Sequence, residues 1–330
     1  MKRLVAVGSV GLLCCLLVAC SADDEVGANG ENDVNQQQNQ DDGDVVDDAD
    51  DGEDVGEDAG EDAGGDADVG EPDADAGNDD EYEPPEGMVF IEEGTFTRGC
   101  NVELDDECNE DDPDSIIGYS IPYKHENPPH EVTLSAYAID IHEVTEQQYQ
   151  ECVDDGVCDE PFYDDMYDGH GPDYPVVNVT AGDAMDYCEW ADKRLPTEAE
   201  WEKAARGDDQ RIYPWGNEEP DCDRANYDDC GGEMTPVGEH PAGASPFGVE
   251  DMAGNVRNWT ADWFDAEAYD EDPVTDPEGP DSGNTRTVRG GSFAQGASSL
   301  RTSARYSMEG DSPESFGFDT GFRCAKGVEQ

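Results

Sequence analysis

Residues 23–87 carry 28 aspartates and glutamates and not one lysine or arginine. A stretch built otherwise mostly of Gly, Ala, Asn and Gln has too little apolar surface to offset the entropy of ordering its backbone, and its like charges hold it open. The near-repeat Gly56-Glu57-Asp58-Ala59-Gly60-Glu61-Asp62-Ala63-Gly64 invites comparison with a calcium loop. No stretch, however, fits Asp-x-Asp-x-Asp-Gly with a Glu six positions beyond the Gly. The segment is therefore expected to be a disordered, extended tether, and any packed core has to come from residues 88–330. That remainder holds all five Trp and all nine Phe, enough for one sizeable domain, and still sets 57 acids against 15 bases. With a formal net charge of -68 the chain repels a phosphate backbone, which excludes nucleic acid as a partner.

The N-terminus has a different character. Lys2 and Arg3 precede an apolar run, Leu4 to Ala19, that closes on Leu17-Val18-Ala19-Cys20. This is the charged, apolar and small-residue order of a secretory signal, and about 16 apolar residues are few for the ~30 Å hydrocarbon core of a bilayer. A Cys directly after Ala19 resembles a bacterial lipoprotein signal. The resemblance implies that residues 1–19 are removed, that Cys20 is acylated, and that a lipid holds the chain to a membrane. Ser21 and Ala22 carry no Asp-type retention signal, so the outer membrane or cell surface is the expected location.

Export changes how the cysteines read. Cys14 and Cys15 leave with the signal and Cys20 takes the lipid, which leaves eight. An even number in an exported domain points to disulfides. Three pairs are close in sequence, Cys100 with Cys108, Cys152 with Cys158 and Cys222 with Cys230. Cys188 and Cys324 are left to close a long loop, a bridge that contributes roughly 4–5 kcal/mol in the loop-entropy model. Zinc is the competing reading, but there is no Cys-x-x-Cys and the five His are scattered.

Within residues 88–330, Met88-Val89-Phe90-Ile91 and Thr95-Phe96-Thr97-Arg98-Gly99 flank Glu93-Gly94 and predict an opening hairpin. Val132–Leu134 and Ala138–Ile141 predict strands. Helices are expected after Thr145, over Thr180–Ala191 with Ala184, Tyr187, Cys188 and Ala191 on one face, and over Thr197–Arg206. In the last, Thr197 and Glu200 form a capping box behind Pro196. Beyond Gly207, Gly, Pro, Asp and Asn dominate, and few regular elements are expected.

Several motifs then occur in one order: His142-Glu143-Val144-Thr145, Arg194-Leu195-Pro196-Thr197-Glu198-Ala199-Glu200-Trp201-Glu202, Tyr213-Pro214-Trp215-Gly216, Asp251-Met252-Ala253-Gly254-Asn255-Val256, Val288-Arg289-Gly290-Gly291-Ser292-Phe293 and Gly321-Phe322-Arg323-Cys324. Together they resemble the formylglycine-generating enzyme, or sulfatase-modifying factor, family over Met88 to Lys326. The resemblance implies a mixed α/β (α+β), C-type-lectin-like fold with little regular structure. It also implies bound calcium, at one site through Asn226, the Tyr227 carbonyl, Asp229 and the Gly231 carbonyl. A second site would use Asp251, the carbonyls of Gly254 and Val256, and Asn258. All are hard oxygen donors, as calcium requires.

The same resemblance implies an oxidation of a substrate cysteine on copper(I) held by two cysteines shortly after the Gly-Gly-Ser motif, a soft thiolate pair suited to that ion. Here those positions fall on Gln295 and Leu300, and no Cys lies between Cys230 and Cys324. Where the family usually has Trp-Glu-Trp, this chain has Arg257-Asn258-Trp259. Copper is therefore not expected. Iron-dependent relatives use His clusters, and the His-x-x-x-His-x-Glu motif is missing; His125 and His130 flank Asn127-Pro128-Pro129 and read as a solvent-facing loop. The expected function is a non-catalytic module that binds a peptide, protein or glycan near Arg257, Ser292, Gln295, Arg301 and Arg305. The alternatives are an oxidoreductase with altered metal ligands and a purely structural envelope component. Arg286, Arg289, Arg301 and Arg305 form either an acidic-ligand site or internal ion pairs, and the sequence leaves both open.

Overall fold

The computed structural model describes residues 82–105, 108, 123–162, 169–269, 274–309 and 317–328. The signal, Cys20 and almost all of the acidic segment lie outside the described residues. Three helices form where a threonine can cap them: α1 Glu146–Asp154, α2 Ala181–Trp190 and α3 Glu198–Arg206. In each, the Thr side chain accepts the N3 amide while the N3 side chain accepts the Thr amide, through Thr145 with Gln148, Thr180 with Asp183 and Thr197 with Glu200. Two otherwise orphaned donors are satisfied at each start, which fixes the boundary locally. On α2, Ala184, Tyr187 and Cys188 are buried as expected.

The strands make three small sheets. β1 (Met88–Ile91), β4 (Tyr137–Asp140) and β10 (Ala325–Gly327) form the first, in the order β1-β4-β10. β2 (Gly94–Arg98), β3 (His130–Leu134) and β6 (Val274–Thr275) form the second. β5 (Arg257–Trp263), β7 (Arg286–Arg289), β8 (Arg305–Met308) and β9 (Thr320–Gly321) form the third, in the order β8-β7-β5-β9.

The expected opening hairpin does not form. β1 pairs with β4 and β2 with β3. The corner between β1 and β2 is tied to α3 by Lys203, whose Nζ donates to the carbonyls of Glu92 (3.0 Å) and Gly94 (3.3 Å). The region beyond Gly207 is also more regular than expected, because it supplies the whole third sheet.

Two apolar clusters carry most of the core. One gathers Tyr149, Tyr187, Cys188, Trp259, Val288 and Phe322 between α1, α2 and the third sheet. Its rings interlock, with Tyr149 stacked on Tyr187 at 5.7 Å and Tyr187 edge-on to Phe322 at 5.4 Å. The other packs Trp201, Ala204 and Ala205 of α3 against Ile91, Leu134, Tyr137 and Ile139. All four expected disulfides are present, Cys100–Cys108, Cys152–Cys158, Cys188–Cys324 and Cys222–Cys230. The Cys188–Cys324 bridge joins α2 to the segment entering β10, where Arg194 and Ala325 exchange backbone bonds. The fold is mixed α/β with short elements, as the sequence implied.

Candidate functional site

The loop that leaves β7 is shaped by Gly290 and Gly291, both at positive φ (95° and 69°). A Cβ on Gly291 would lie 2.5 Å from the Ser299 hydroxyl and 2.8 Å from the Ser299 carbonyl, so only glycine lets this backbone close on the turn at Ala297–Leu300. The loop delivers Ser292 into the interior. Its side chain is fully buried and its hydroxyl donates to Asp319 Oδ2 at 2.8 Å. Asp319 in turn pairs with Arg257 at the start of β5. Asp319 was not singled out from the sequence; it lies next to β9, and no motif marks it. The result is a buried Ser-Asp-Arg chain in which the Ser292 hydroxyl donates to a carboxylate that Arg257 neutralises, an arrangement that ties the loop leaving β7 to the segment before β9.

Gln295 and Leu300 are placed differently from each other. Gln295 is half-buried, bonded through its backbone to Ser292 and Asp228. Leu300 is sealed, with no exposure, among Tyr213, Ala225, Tyr227 and Ala253. All eight cysteines of residues 88–330 are in disulfides, so the described chain offers no thiolate pair for copper(I). Cys100 and Cys108 come together with Asp105, but as a disulfide rather than as two ligands. Three surface hollows of about 630, 640 and 470 Å³ lie elsewhere, and none of the three is lined by Arg257, Ser292, Gln295 or Leu300.

Of the two readings left open for Arg286, Arg289, Arg301 and Arg305, internal ion pairing describes Arg289, Arg301 and Arg305, which are buried against carboxylates. Glu198 and Glu202, one turn apart on α3, are the hub. Arg305 grips Glu198 through Nε (2.6 Å) and Nη2 (2.9 Å), and Arg98 reaches Glu198 at 2.8 Å. Arg289 reaches Glu202 at 2.5 Å, Arg206 reaches it at 2.8 Å, and the amide of Gly99 donates to it at 2.7 Å. The Tyr269 hydroxyl adds a bond of 3.0 Å. Burial pushes the Glu202 carboxyl up, but Arg289, Arg206 and Arg98 together hold it down at about 2. Next to this hub, burial and the charge of Glu198 push Asp262 up to about 7, although it accepts the Glu198 amide at 2.7 Å. Arg301 binds both oxygens of Glu126 (2.6 and 2.8 Å) and approaches Asp105 at 3.3 Å. Arg286 lies over the face of Trp263 at 3.7 Å and donates to the Ala261 carbonyl. Arg289, Arg301 and Arg305, paired in this way, cannot receive an acidic ligand without giving up a carboxylate.

The histidines make separate contacts. His125 Nδ1 lies 3.1 Å from the Ala266 carbonyl and His130 Nδ1 lies 3.2 Å from that of Pro128. His142 faces Glu250 and His170 faces Glu146.

The two calcium sets differ in fit. In the first, the Asp229 carboxylate and Gly231 are exposed on the turn closed by Cys222–Cys230. The Tyr227 carbonyl accepts one bond, from Cys230 N at 2.8 Å, and keeps a lone pair. In the second, Asn258 Oδ1 accepts from Trp201 Nε1 (3.1 Å) and Arg323 Nε (2.7 Å), so both of its lone pairs are taken. The Asn258 amide nitrogen, moreover, points at the Val256 carbonyl at 3.1 Å. Arg323, which also donates to the carbonyl of Asp251 at 3.2 Å, already supplies the positive charge there. Asp251, Gly254 and Val256 thus lose Asn258 as the fourth member of the set.

Residues 74–328 match the family described as "Sulfatase-modifying factor enzyme 1-like domain". The chain is 36% identical over 265 residues to a "Serine/threonine-protein kinase pkn1" of Chlamydia caviae, covering 73% of this chain and 38% of that protein. It is 41% identical over 172 residues to a "Formylglycine-generating enzyme" of Thermomonospora curvata, covering 47% and 56%. The chain therefore spans between about a third and a little over half of the length of these curated relatives. Among solved structures it resembles Treponema denticola variable protein 1, with a TM-score of 0.56 and 25% identity over 73% of this chain and 95% of that one. PvdO from Pseudomonas aeruginosa gives the same TM-score and identity, over 73% and 94%.

Proposed function

This chain belongs to the sulfatase-modifying factor family, and we propose that it uses the family scaffold as a non-catalytic binding module at the cell envelope. One observation carries the reading. At the two positions where the resemblance requires soft donors, the chain has a half-buried amide and a fully buried leucine, and every cysteine of the domain is held in a disulfide. Arg257, which replaces an aromatic wall in the resemblance, closes on Asp319, the carboxylate that also accepts the buried Ser292 hydroxyl. The ligand surface is then the outer side of the loops around Ser292, Gln295 and Arg257.

In this reading the domain is exported, carried on lipidated Cys20 and held off the membrane by the acidic segment. One calcium ion, at Asn226, Tyr227, Asp229 and Gly231, stiffens the turn beside Gln295, whose carbonyl accepts the amide of Asp228 at 3.1 Å. The test is an anaerobic copper(I) titration followed by dioxygen uptake on a cysteine-containing peptide. We expect neither stoichiometric binding nor uptake; either one, abolished by chelation, would establish instead an oxidoreductase with altered ligands. Metabolic labelling with a radioactive fatty acid, lost in Cys20→Ser, checks the anchor. A chelator that lowers Tm in the wild type and not in Asp229→Ala checks the calcium.

A further inference from the structure

The domain carries 15 lysines and arginines, and the structure shows what fourteen of them do. Twelve lie within 4.0 Å of a carboxylate: Arg98, Lys193, Arg194, Arg206, Arg211, Arg224, Arg257, Arg289, Arg301, Arg305, Arg323 and Lys326. Lys203 is taken up by two carbonyls and Arg286 by a carbonyl and an indole face. With these cations already paired, the 57 acids of the domain exceed its 15 bases by 42.

On the surface of this anionic domain, directly over the buried Ser292-Asp319-Arg257 chain, stand aromatic rings. Phe293, next to Ser292, and Phe318, next to Asp319, meet edge-on with centroids 6.1 Å apart. Phe318 is 51% exposed. Phe162, 55% exposed, stands on an adjoining segment, since its amide bonds to the Asn178 carbonyl and the Asn178 amide bonds to that of Gly317. Grouped exposed aromatics are uncommon on a soluble domain and mark contact surfaces. The charge restricts what can cover them. A second copy, with its own net -42, is repelled, and so are anionic lipid headgroups and polyanionic glycans.

We propose that this patch takes a polypeptide that presents an aromatic or aliphatic side chain between lysines or arginines, the apolar group seated on Phe293 and Phe318 and the bases on exposed acids nearby, Asp159 and Glu160 just before Phe162 and Asp228, whose amide bonds the Gln295 carbonyl. The proposal rests on the reading of the same surface as a binding site and adds the class of partner.

The probe is a fluorescent peptide of alternating lysine and phenylalanine, compared with all-lysine and glutamate–phenylalanine peptides of the same length, using the full chain in detergent. The acidic segment attracts any lysine peptide, so Phe318 must be isolated by variants that keep that segment. We expect Phe318→Ser, and independently Phe162→Ser, to weaken the lysine–phenylalanine peptide by about tenfold or more. They should leave the all-lysine peptide unchanged, and the glutamate peptide should not bind. Unchanged Tm and circular dichroism confirm the fold of each variant.

Equal binding by wild type and both variants overturns the proposal. So does a neutral oligosaccharide whose binding, but not the peptide's, needs Phe318, or self-association through Phe318 in sedimentation. The copper measurement separates the two readings: cysteine-peptide turnover with Phe318 dependence intact removes only the non-catalytic reading, and absence of both turnover and Phe318 dependence removes only the partner class.

Discussion

Glu202 is the residue on which the buried charge network turns, because it neutralises two guanidiniums, accepts a tyrosine hydroxyl and accepts a backbone amide with no exposure to water. Glu202→Ala strands Arg206 without a counter-ion and leaves Arg289 only Glu198, at 3.5 Å, and removing one partner of a buried pair costs about 3–5 kcal/mol. Urea denaturation should show that loss; a change below about 1 kcal/mol would mean that water reaches the hub. Asp262 acts in the opposite sense. Its folded pKa of about 7 lies above the ordinary value of 3.8, so the native state holds the proton more tightly than the unfolded chain does. Stability contributed by the protonated form is complete below about pH 4 and is lost as the pH rises to about 7. Asp262→Asn, which keeps an acceptor for the Glu198 amide, should therefore raise Tm relative to wild type more at pH 8 than at pH 4.5. The expected difference is roughly 2 kcal/mol, or about 5 °C by calorimetry.

At the scale of elements, what could be read from the sequence follows what is decided locally. A Thr three residues before a Gln, Asp or Glu declares a helix start, and α1, α2 and α3 begin where that pattern places them. Thr197→Ala should cost about 1 kcal/mol in thermal unfolding, without shifting the helix. The disulfides were legible from spacing in the same way. The third sheet was not, because β5, β7 and β8 begin or end on Arg257, Arg286, Arg289 and Arg305, and charged residues read as surface. They are buried only because α3, distant in sequence, brings Glu198 and Glu202 to two of them. The false hairpin has a similar origin: nothing in Glu92-Glu93-Gly94 announces that Lys203 will tie the corner to α3. At the site, motif positions identified Ser292, Gln295 and Leu300, while Asp319, the partner that joins Ser292 to Arg257, had no local signature.

For the whole molecule, charge and cross-links set the terms. A domain of net -42 repels itself, and salt screens that repulsion within about 10 Å at 0.1 M. Raising salt from about 0.01 M to 0.15 M should raise Tm, and a fall would mean that the internal pairs are the ones being screened. The Cys188–Cys324 bridge spans 136 residues, and the Cys222–Cys230 bridge 8. The loop-entropy model assigns them roughly 5 and 2.5 kcal/mol. Replacing both cysteines of the long bridge should lower the urea midpoint about twice as far as replacing those of the short one.

β10 lies beside β4, Phe322 fills the aromatic cluster and Arg323 occupies the heart of the Asn258 network, all downstream of β1 to β9. Without those residues β4 has an open edge and both cores stay unclosed, so the portion of the domain that precedes them cannot mature piecemeal but must wait, still pliable, for this stitch.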